Sequence, residues 1–318
     1  MKKNVTRTKL VIRDQLAALS RTVPRMRGKG WLGIRLTKLL TDYREDKASI
    51  VTFKMRNGTI MRIDLRSRTE GWTYWTGEYD RKIIELFLGC LQPGWIAFDV
   101  GANVGFWTAP LGRRLKELGG TLYAFEPVKP NFERLVEVIE LNGLQKEVHP
   151  LNLALGNEEG MIQINVEDSN HATTGNAVLS KGLEQGFSKY KVTARITCLD
   201  RLVEEQQIKA CHFIKIDVEG AELMFLKGGA NFLHKHRPII YGEFNPYWMN
   251  HFGQSFKDVV EFMSDYNYRF YQQSGKGKIE FSEIVQPQSG IQDVLLIPEE
   301  KADTLLAWLN ISKRRNLN

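Results

Sequence analysis

From residue 95 onward, short apolar runs alternate with amphipathic helical stretches in a regular order. Residues 96–100 and 121–125 have the length and composition of buried strands, and 131–141 carries a helical stripe. A third strand is predicted near 148–155. Such repetition of strand and helix predicts a mostly parallel sheet covered by helices on both faces.

The alternation is interrupted once and then resumes. Two strands, 161–166 and 192–197, are predicted to enclose a polar loop that contains His171. The segments beyond them that show strand or helix patterns are strand 212–217, helix 222–232, strand 238–244, helix 256–266 and strands 268–271 and 293–297. The α/β order therefore continues to residue 297.

Upstream of this region the pattern changes. In residues 49–65, apolar and polar residues alternate on both sides of Asn57-Gly58. This pattern predicts a β-hairpin with a type I′ turn. An aromatic stretch then leads into a helix predicted over 80–88. Residues 1–47 show two weak helical stripes, Ile12-Leu16-Leu19 and Leu32-Leu36-Leu39-Leu40.

Charge is concentrated in that N-terminal segment. Residues 1–47 hold 13 Lys or Arg and 4 Asp or Glu, whereas the rest holds 31 and 33, so the net +7 arises from the first 47 residues. The arm is expected to pack on its own domain or on a second subunit, which leaves a homo-oligomer open. The alternative is a basic amphipathic surface that makes a peripheral contact with anionic lipid.

Composition places the chain among cytoplasmic globular proteins. Its 42% hydrophobic content is ordinary, and no apolar run has the roughly 18 to 20 residues of a membrane span. Three cysteines without metal-type spacing argue against a disulfide framework. Four regions are predicted: a basic helical arm (1–47), a hairpin and helix subdomain (48–92), an α/β domain (93–300) and a C-terminal helix with a basic tail (301–318).

The strongest single motif follows the strand at 96–100. Asp99, Gly101, Asn103 and Gly105 lie in a turn between a strand and a helix, where glycines allow close backbone approach and a helix N-terminus offers free N–H groups. Glu126 ends the next strand, where a carboxylate accepts hydrogen bonds from ribose hydroxyls.

These residues favour S-adenosylmethionine over a dinucleotide. A dinucleotide site normally shows G-x-G-x-x-G, whose amides hold a pyrophosphate. This chain instead has a carboxylate, Asp99, before the first glycine. An acidic residue suits the positively charged amino-acid end of S-adenosylmethionine, which carries no phosphate.

Acidic residues also follow two later strands. Alternation places Lys215, Asp217 and Glu219 on one side of a strand, and Glu243 ends the next strand. These carboxylates are candidates to orient an acceptor hydroxyl or take its proton, and His171 is a further candidate base. They could also hold a divalent ion, but no His or Cys cluster supports one, so no metal site is predicted.

The combination of motifs resembles the FkbM-type methyltransferases, a class I S-adenosylmethionine-dependent family. The matching segments are 98–105 (FDVGANVG), 125–127 (FEP), 131–135 (NFERL), 141–143 (LNG), 215–222 (KIDVEGAE), 237–240 (RPII) and Trp75-x-Gly77-x-Tyr79. They span roughly residues 72–245. Pro110 is awkward for the first helix of the α/β domain, which must start late or kink.

The resemblance implies a Rossmann-like fold with a seven-stranded sheet whose last strand is antiparallel. It implies O-methylation of a hydroxyl, often on a sugar of a glycolipid, polysaccharide or glycosylated natural product. The expected cofactor-binding residues are Asp99, Gly101, Ala102, Asn103, Gly105, Glu126, Pro127, Ala154 and Leu155. The expected acceptor-side residues are Asp217, Glu219 and Glu243.

Three other functions remain open from the sequence. They are a nicotinamide-dependent oxidoreductase, a non-catalytic S-adenosylmethionine-binding protein and a methyltransferase of another small molecule or macromolecule. A nucleic-acid methyltransferase is also possible because the N-terminal arm is basic, although no nucleic-acid partner is expected. The strand at 212–217 ends in Asp217-Val218-Glu219-Gly220 and lacks the Asn/Asp-Pro-Pro-aromatic motif of amino-methylating relatives, which argues for oxygen as the acceptor atom. Trp72, Tyr74, Trp75, Tyr247 and Trp248 are candidate platforms for sugar rings.

Overall fold

The computed structural model describes residues 2–24, 26, 28–41, 49–166, 178–179, 190–274, 279–285 and 292–309. The candidate base His171 lies outside these residues, and the division of the chain into four regions stays a prediction. The N-terminal elements are helices α1 (Lys2–Thr22) and α2 (Lys29–Leu40), strands β1 (Ile50–Lys54) and β2 (Ile60–Asp64), and helices α3 (Arg68–Thr76) and α4 (Arg81–Cys90).

The predicted hairpin is confirmed, but its predicted turn type is wrong. Strands β1 and β2 pair antiparallel, from Ile50 opposite Asp64 to Lys54 opposite Ile60. A type I′ turn needs positive φ at both central residues, yet only Gly58 of the Asn57-Gly58 pair has it, at 84°. The Gly58 amide donates to the Met55 carbonyl, so the connection is a longer loop ending in a left-handed glycine.

The N-terminal helices cover α3 through unexpected faces. Ala17 of α1 is fully buried, and Gly30 and Gly33 of α2 pack so closely that an added Cβ would meet the rings of Trp72 and Trp75 within 2.5 Å. The apolar stripes predicted from the sequence point the other way. Five of those seven residues are more than a third exposed: Ile12, Leu16, Leu19, Leu32 and Leu39.

The α/β region contributes the remaining elements. In chain order they are β3 (Ile96–Val100), α5 (Thr108–Glu117), β4 (Thr121–Phe125), α6 (Lys129–Leu141), β5 (Val148–Leu151), β6 (Ala154–Gly156), β7 (Gly160–Val166), β8 (Val178–Leu179), β9 (Tyr190–Cys198), α7 (Leu199–Glu205), β10 (Phe213–Ile216), α8 (Glu222–Gly228), α9 (Ala230–His236), β11 (Ile239–Glu243), α10 (Pro246–His251), α11 (Phe256–Ser264), β12 (Tyr268–Ser274), β13 (Glu280–Glu283), β14 (Asp293–Pro298) and α12 (Glu299–Trp308).

The main sheet confirms the predicted Rossmann-like fold. Its strand order is β13-β12-β14-β11-β10-β3-β4-β5. Strands β11, β10, β3, β4 and β5 run parallel to one another, and β14 pairs antiparallel with both β11 and β12. The seven expected strands are therefore present with the last one antiparallel, and β13 adds an eighth strand at the edge, antiparallel to β12.

The interruption of the alternation forms a second sheet. Strands β7 and β9 pair antiparallel, β6 joins β9 in parallel, and the order is β6-β9-β7-β8. The predicted third strand, 148–155, is in fact divided. Its first half belongs to the main sheet as β5 and its second half to this sheet as β6.

Two helices differ from a simple reading of the sequence pattern. The helix predicted over 222–232 breaks into α8 and α9 at Gly228-Gly229, where a Cβ on Gly228 would lie 1.7 Å from the carbonyl oxygen of Gly156. Helix α5 begins only at Thr108. Pro110 therefore falls in the first turn, where its missing donor costs no helical hydrogen bond, and the predicted late start is confirmed.

Apolar side chains cover both faces of the main sheet. One cluster includes Phe87, Leu111 and Phe213, and the other includes Phe98, Phe225 and Phe244, all nearly or fully buried. Across the described ranges, none of the helices combines the length and apolarity that a bilayer-spanning segment requires.

Candidate functional site

A cavity of about 240 Å³ lies at the carboxyl ends of β3, β4, β10 and β11. This edge is where open α/β sheets bind ligands. The structure brings ten of the twelve predicted site residues to its lining. They are Gly101, Ala102, Asn103, Glu126, Pro127, Ala154, Leu155, Asp217, Glu219 and Glu243.

The glycine-rich turn after β3 is held by its own hydrogen bonds. The amides of Gly101 and Ala102 both donate to the Phe125 carbonyl, the Asn103 amide to Glu126 and the Gly105 amide to Ala102. These four N–H groups are therefore engaged within the protein. The expected cradle of free amides, which a pyrophosphate would need, does not form at these positions.

Residue 101 must be glycine both for its backbone conformation in the turn and for its close contact with the segment after β10. Its φ is 78°, and a Cβ there would lie 1.8 Å from the carbonyl oxygen of Asp217. Only glycine allows the turns after β3 and β10 to approach this closely. The motif thus fixes Asp217 beside the cavity floor.

Glu126 is held in a fixed orientation at the end of β4. Its two carboxylate oxygens accept the amides of Asn103 at 2.9 Å and Val128 at 2.8 Å, and the residue is 4% exposed. Burial raises the pKa of Glu126 to about 7, against the lowering effect of these hydrogen bonds. Each oxygen retains acceptor capacity toward the cavity, which suits the paired hydroxyls of a ribose.

Asp99 and Gly105 are the two predicted site residues that do not line the cavity. Asp99 is 0% exposed, accepts a hydrogen bond from the Thr108 hydroxyl at 2.6 Å and lies 3.5 Å from the Lys215 ammonium. It therefore supports Lys215 from beneath, and its direct contact with a cofactor ammonium stays a prediction. Gly105 faces Leu135 of α6, with which it packs.

Lys215 ties the floor of the site together. Its ammonium also lies 3.3 Å from Asp217 and donates to the Gly101 carbonyl at 3.1 Å. Burial opposes the charged form, but the carboxylates of Asp217 and Asp99 outweigh it and raise the pKa of Lys215 above its usual value. Lys215 is therefore a permanent cation below the turn.

Three carboxylates form the acceptor side of the cavity. Loss of hydration and the charges of Asp217 and Glu243 raise the pKa of Glu219 to about 9. Loss of hydration and the charges of Asp217 and Asp293 raise the pKa of Glu243 to about 7, although its side chain reaches solvent. At neutral pH, Glu219 is thus a hydrogen-bond donor, while Glu243 exchanges its proton readily.

Glu222 shapes the turn that carries Glu219. Glu219 and Gly220 have φ values of 49° and 95°, and the Gly220 amide donates to Glu222 at 3.0 Å. Glu222 is 0% exposed, and burial raises its pKa to about 8. A protonated Glu222 beneath the turn therefore positions Glu219 at the cavity.

Several lining residues were missed from the sequence. Tyr79 stacks on Phe106 with ring centroids 4.4 Å apart, and burial raises the pKa of Tyr79 well above its usual value, so its hydroxyl is a donor. Asn131 is 2% exposed and hydrogen bonds to Glu126. Tyr79 closes the Trp75-x-Gly77-x-Tyr79 motif and Asn131 opens 131–135, so both motifs had signalled them without assigning a role.

A second, larger concavity of about 1120 Å³ adjoins the cavity. Thr69 and Tyr79 line both spaces, so the two spaces are neighbours. We call it the outer groove; its walls include Arg68, Trp72 and Asp80. Its volume is slightly above the roughly 300–1,000 Å³ of typical small-molecule pockets, so it has room for more than one small ring.

Most of the aromatic residues predicted to contact sugar rings are buried in the protein interior. Tyr74 and Trp75 are each 2% exposed, and they hydrogen bond to Asp14 and Thr37 of the N-terminal helices. Trp248 is 8% exposed, and Tyr247 is exposed but lines neither space. Of the five aromatic residues, Trp72 alone lies in the outer groove, where it is 37% exposed.

The residues of the cavity fit S-adenosylmethionine. Glu126 offers the ribose acceptor, Leu155 and Phe125 offer apolar surface for an adenine, and the buried Asn103 Oδ1 has no hydrogen-bond partner within the described structure. An orphaned acceptor of this kind calls for a donor from a ligand. The described ranges contain no group of three or more His, Cys, Asp or Glu in a metal-binding arrangement.

Comparison with known proteins finds similarity to several methyltransferases. Among curated proteins, hexuronic acid methyltransferase AglP of Haloferax volcanii is 27% identical over 209 residues, which cover 66% of this chain and 78% of AglP. Among solved structures, methyltransferase FkbM from Methylobacillus flagellatus has a TM-score of 0.42 at 16% identity over 69% of this chain, and the match covers 46% of that protein. Methanogen TYW2 from M. jannaschii, solved with AdoMet, has a TM-score of 0.40 at 14% identity over 78% of this chain and 84% of its own.

A family model defines the relationship. Residues 99–270 match the methyltransferase FkbM domain, from the buried Asp99 to the first residues of β12 in the main sheet. The match includes the turn after β3, Glu126 and the acidic residues that follow β10 and β11. It spans more than half of the chain, which therefore belongs to the FkbM-domain methyltransferases and has S-adenosylmethionine as its cofactor.

Proposed function

We propose that this methyltransferase transfers the methyl group of S-adenosylmethionine to a hydroxyl oxygen of a sugar. The observation that carries the proposal is the convergence of Asp217, Glu219 and Glu243 on the cavity that also contains Glu126. Glu126 suits the ribose of the cofactor, and the three carboxylates face the space that remains for an acceptor. A hydroxyl needs such a proton acceptor, because its oxygen becomes nucleophilic as the proton leaves.

The reaction is an in-line displacement. The bound cofactor supplies a methyl carbon activated by a sulfonium: the acceptor oxygen forms a bond to this carbon as the carbon–sulfur bond breaks, and the bonding pair returns to sulfur. The protein chiefly aligns the oxygen with the methyl group. Alignment of this kind contributes on the order of 7–11 kcal/mol in good cases, and a general base adds ~10²–10⁴-fold.

Each acceptor-side residue has a distinct proposed role. Glu243, with its pKa of about 7, takes the hydroxyl proton. Asp217, paired with Lys215 at 3.3 Å, accepts a hydrogen bond that orients the acceptor. Glu219 is protonated at neutral pH and donates to a neighbouring oxygen.

The outer groove supports a carbohydrate acceptor. Trp72 offers a partly exposed ring, and the exposed Arg68 and Asp80 offer polar partners, a combination that suits a sugar with its apolar faces and hydroxyl rim. AglP, with which the chain shares 27% identity, is named for methylation of a hexuronic acid. Sugars that carry a uronic acid are therefore the first acceptors to test.

Methyl transfer from labelled S-adenosylmethionine to oligosaccharides with and without uronic acid residues tests the proposal. We expect label in a carbohydrate product that survives mild alkali, because a methyl ether is alkali-stable and a methyl ester is not. Glu140→Gln, an exposed change on α6, serves as the matched control for Glu243→Gln. Alkali-labile label would assign the transfer to a carboxylate, and label confined to protein or nucleic acid would exclude a sugar; either result contradicts the proposal.

A further inference from the structure

Exposed apolar side chains are concentrated at the N-terminus. Fourteen large hydrophobic residues are exposed among the described part of the chain, and nine of them lie between residues 11 and 39. Exposed apolar side chains are normally scattered singly over a soluble monomer, so their concentration in one segment marks a candidate interaction site. These residues lie in the basic helical arm (1–47), of which the structure describes residues 2–24, 26 and 28–41.

Helix α1 separates its two faces clearly. Arg13 and Ala17 are 2% and 0% exposed and face α3, with Arg13 bonded to the Thr41 hydroxyl. Ile12, Leu16 and Leu19 repeat at helical spacing on an adjacent, solvent-facing side of the helix and are 42%, 39% and 63% exposed. The helix is therefore anchored by one side and presents an apolar stripe on an adjacent one.

Helix α2 is arranged in the same way. Gly30, Gly33 and Thr37 are its buried residues. Its outer face carries Trp31, 52% exposed, and Leu39, 70% exposed. Between them in sequence lies Arg35, whose guanidinium stands 3.6 Å from the centroid of the Trp31 ring. Tryptophan beside a cation is typical of side chains that settle at a membrane interface.

The positive charge of the arm indicates which kind of partner binds this surface. Residues 1–47 have an excess of 9 positive charges, whereas the remainder has a net charge of −2. Lys9, Arg35 and Lys38 are exposed on the arm itself. A second copy of the arm would bring like charge against like charge, so self-association through this face is opposed. An anionic lipid surface satisfies both the apolar stripes and the positive charge.

We propose that the outer faces of α1 and α2 form a docking surface for an anionic membrane. The apolar side chains enter the boundary between headgroups and acyl chains, and the lysines and arginines contact the lipid phosphates. This proposal concerns binding alone and does not depend on the acceptor. Because Thr22 and Pro24 at the end of α1 also line the outer groove, docking would hold the groove close to the lipid surface.

Co-sedimentation of the full chain with vesicles tests the proposal. Vesicles of phosphatidylcholine alone are compared with vesicles of equal parts phosphatidylcholine and phosphatidylglycerol. We expect binding to the anionic vesicles, at least tenfold stronger than to the neutral ones. High salt should weaken it, because the screening length shortens from about 10 Å at 0.1 M to about 3 Å at 1 M salt.

Two sets of substitutions separate the apolar and the charged contributions. Leu16→Ser with Leu19→Ser should lower partitioning more than tenfold by removing buried apolar surface. Lys9→Gln, Arg35→Gln and Lys38→Gln together should lower it about a hundredfold, at about fivefold for each charge. Met161→Ser, at a residue 66% exposed on β7, is the matched control and should bind as the wild type does.

Retained affinity for S-adenosylhomocysteine in each variant shows that it is folded, since no substituted residue lines the cavity. The proposal is overturned if the chain ignores anionic vesicles or binds neutral ones equally well. It is also overturned if analytical ultracentrifugation shows a dimer that the leucine substitutions dissociate, because the stripe would then be a subunit interface. Failure of the methyl-transfer assay leaves these outcomes unchanged.

Discussion

The Lys215 ammonium lies 3.5 Å from the carboxylate of Asp99, and both side chains are buried beneath the turn that carries Gly101. This pair joins β3 to the neighbouring β10 at the carboxyl edge of the sheet. The pair lies directly below the cavity, so it stabilises the floor of the site.

Removal of one partner should therefore destabilise the whole domain. Asp99→Ala leaves a buried ammonium with less compensation, and such changes cost about 3–5 kcal/mol. We expect urea denaturation to show a loss of this order, with cofactor affinity weakened as well. Asp99→Leu combined with Lys215→Met should recover much of the loss, because no buried charge is left unpaired; the Asp217 side chain, which loses Lys215, is 32% exposed. Wild-type stability in Asp99→Ala would show that the pair contributes nothing to the free energy of unfolding.

Glu126 controls cofactor affinity. Glu126→Ala removes the carboxylate expected to accept the ribose hydroxyls and frees the amides of Asn103 and Val128. Hydrogen bonds to a charged group contribute about 1.5–3 kcal/mol, so affinity should fall at least tenfold by isothermal titration. Asp217→Asn should keep cofactor affinity and lose turnover. Unchanged affinity in Glu126→Ala contradicts the ribose assignment.

Glu243 should set the pH dependence of turnover. Its pKa is raised to about 7, and only the ionised form accepts a proton. The rate should therefore be full above pH 7 and fall as the pH drops through that value. Glu243→Gln should lower kcat by ~10²–10⁴ and remove this limb of the profile. A profile that keeps its limb near pH 7 in Glu243→Gln would assign the base elsewhere.

Glu222 should make folding stability depend on pH. Its pKa rises from 4.5 to about 8 in the folded chain, so the folded state holds a proton that the unfolded state has lost between these values. Stability from this group therefore falls as pH rises from about 4.5 to about 8, by roughly 1.4 kcal/mol for each unit of difference.

Glu222→Gln tests this directly, since glutamine retains an oxygen for the Gly220 amide. The variant should be more stable than the wild type at pH 8 and similar to it near pH 4.5. Denaturation of both chains across this range, with the exposed Glu140→Gln as control, measures the difference. Parallel stability curves for Glu222→Gln and the wild type would show that Glu222 is ionised in the folded chain.

The arrangement of the sheet and most of the cavity lining could be predicted from the sequence. Strand ends are local features: Glu126, Asp217 and Glu243 follow apolar runs that the periodicity identifies, and parallel strands bring their carboxyl ends together. What failed depended on contacts between distant segments. The burial of Asp99 results from its pairing with Lys215, 116 positions later, which no local pattern reveals.

The arm shows the same limitation in another form. Helical spacing correctly indicated helices around Ile12 and Leu32, but spacing alone does not say which face a helix buries. Here the packing is dominated by close approach of Gly30 and Gly33 to two tryptophans, so the small residues face inward. Tyr79 entered the site for a related reason, since its position depends on how α4 docks beside Phe106.

Isothermal titration of the purified chain with S-adenosylmethionine and S-adenosylhomocysteine, with NAD as the control ligand, tests whether this cavity binds the cofactor. We expect micromolar binding of both sulfur compounds, an affinity at least tenfold lower in Glu126→Ala, and no binding of NAD. Saturable binding of NAD, or sulfur-compound binding that Glu126→Ala leaves intact, would contradict the assignment of this cavity as the cofactor site.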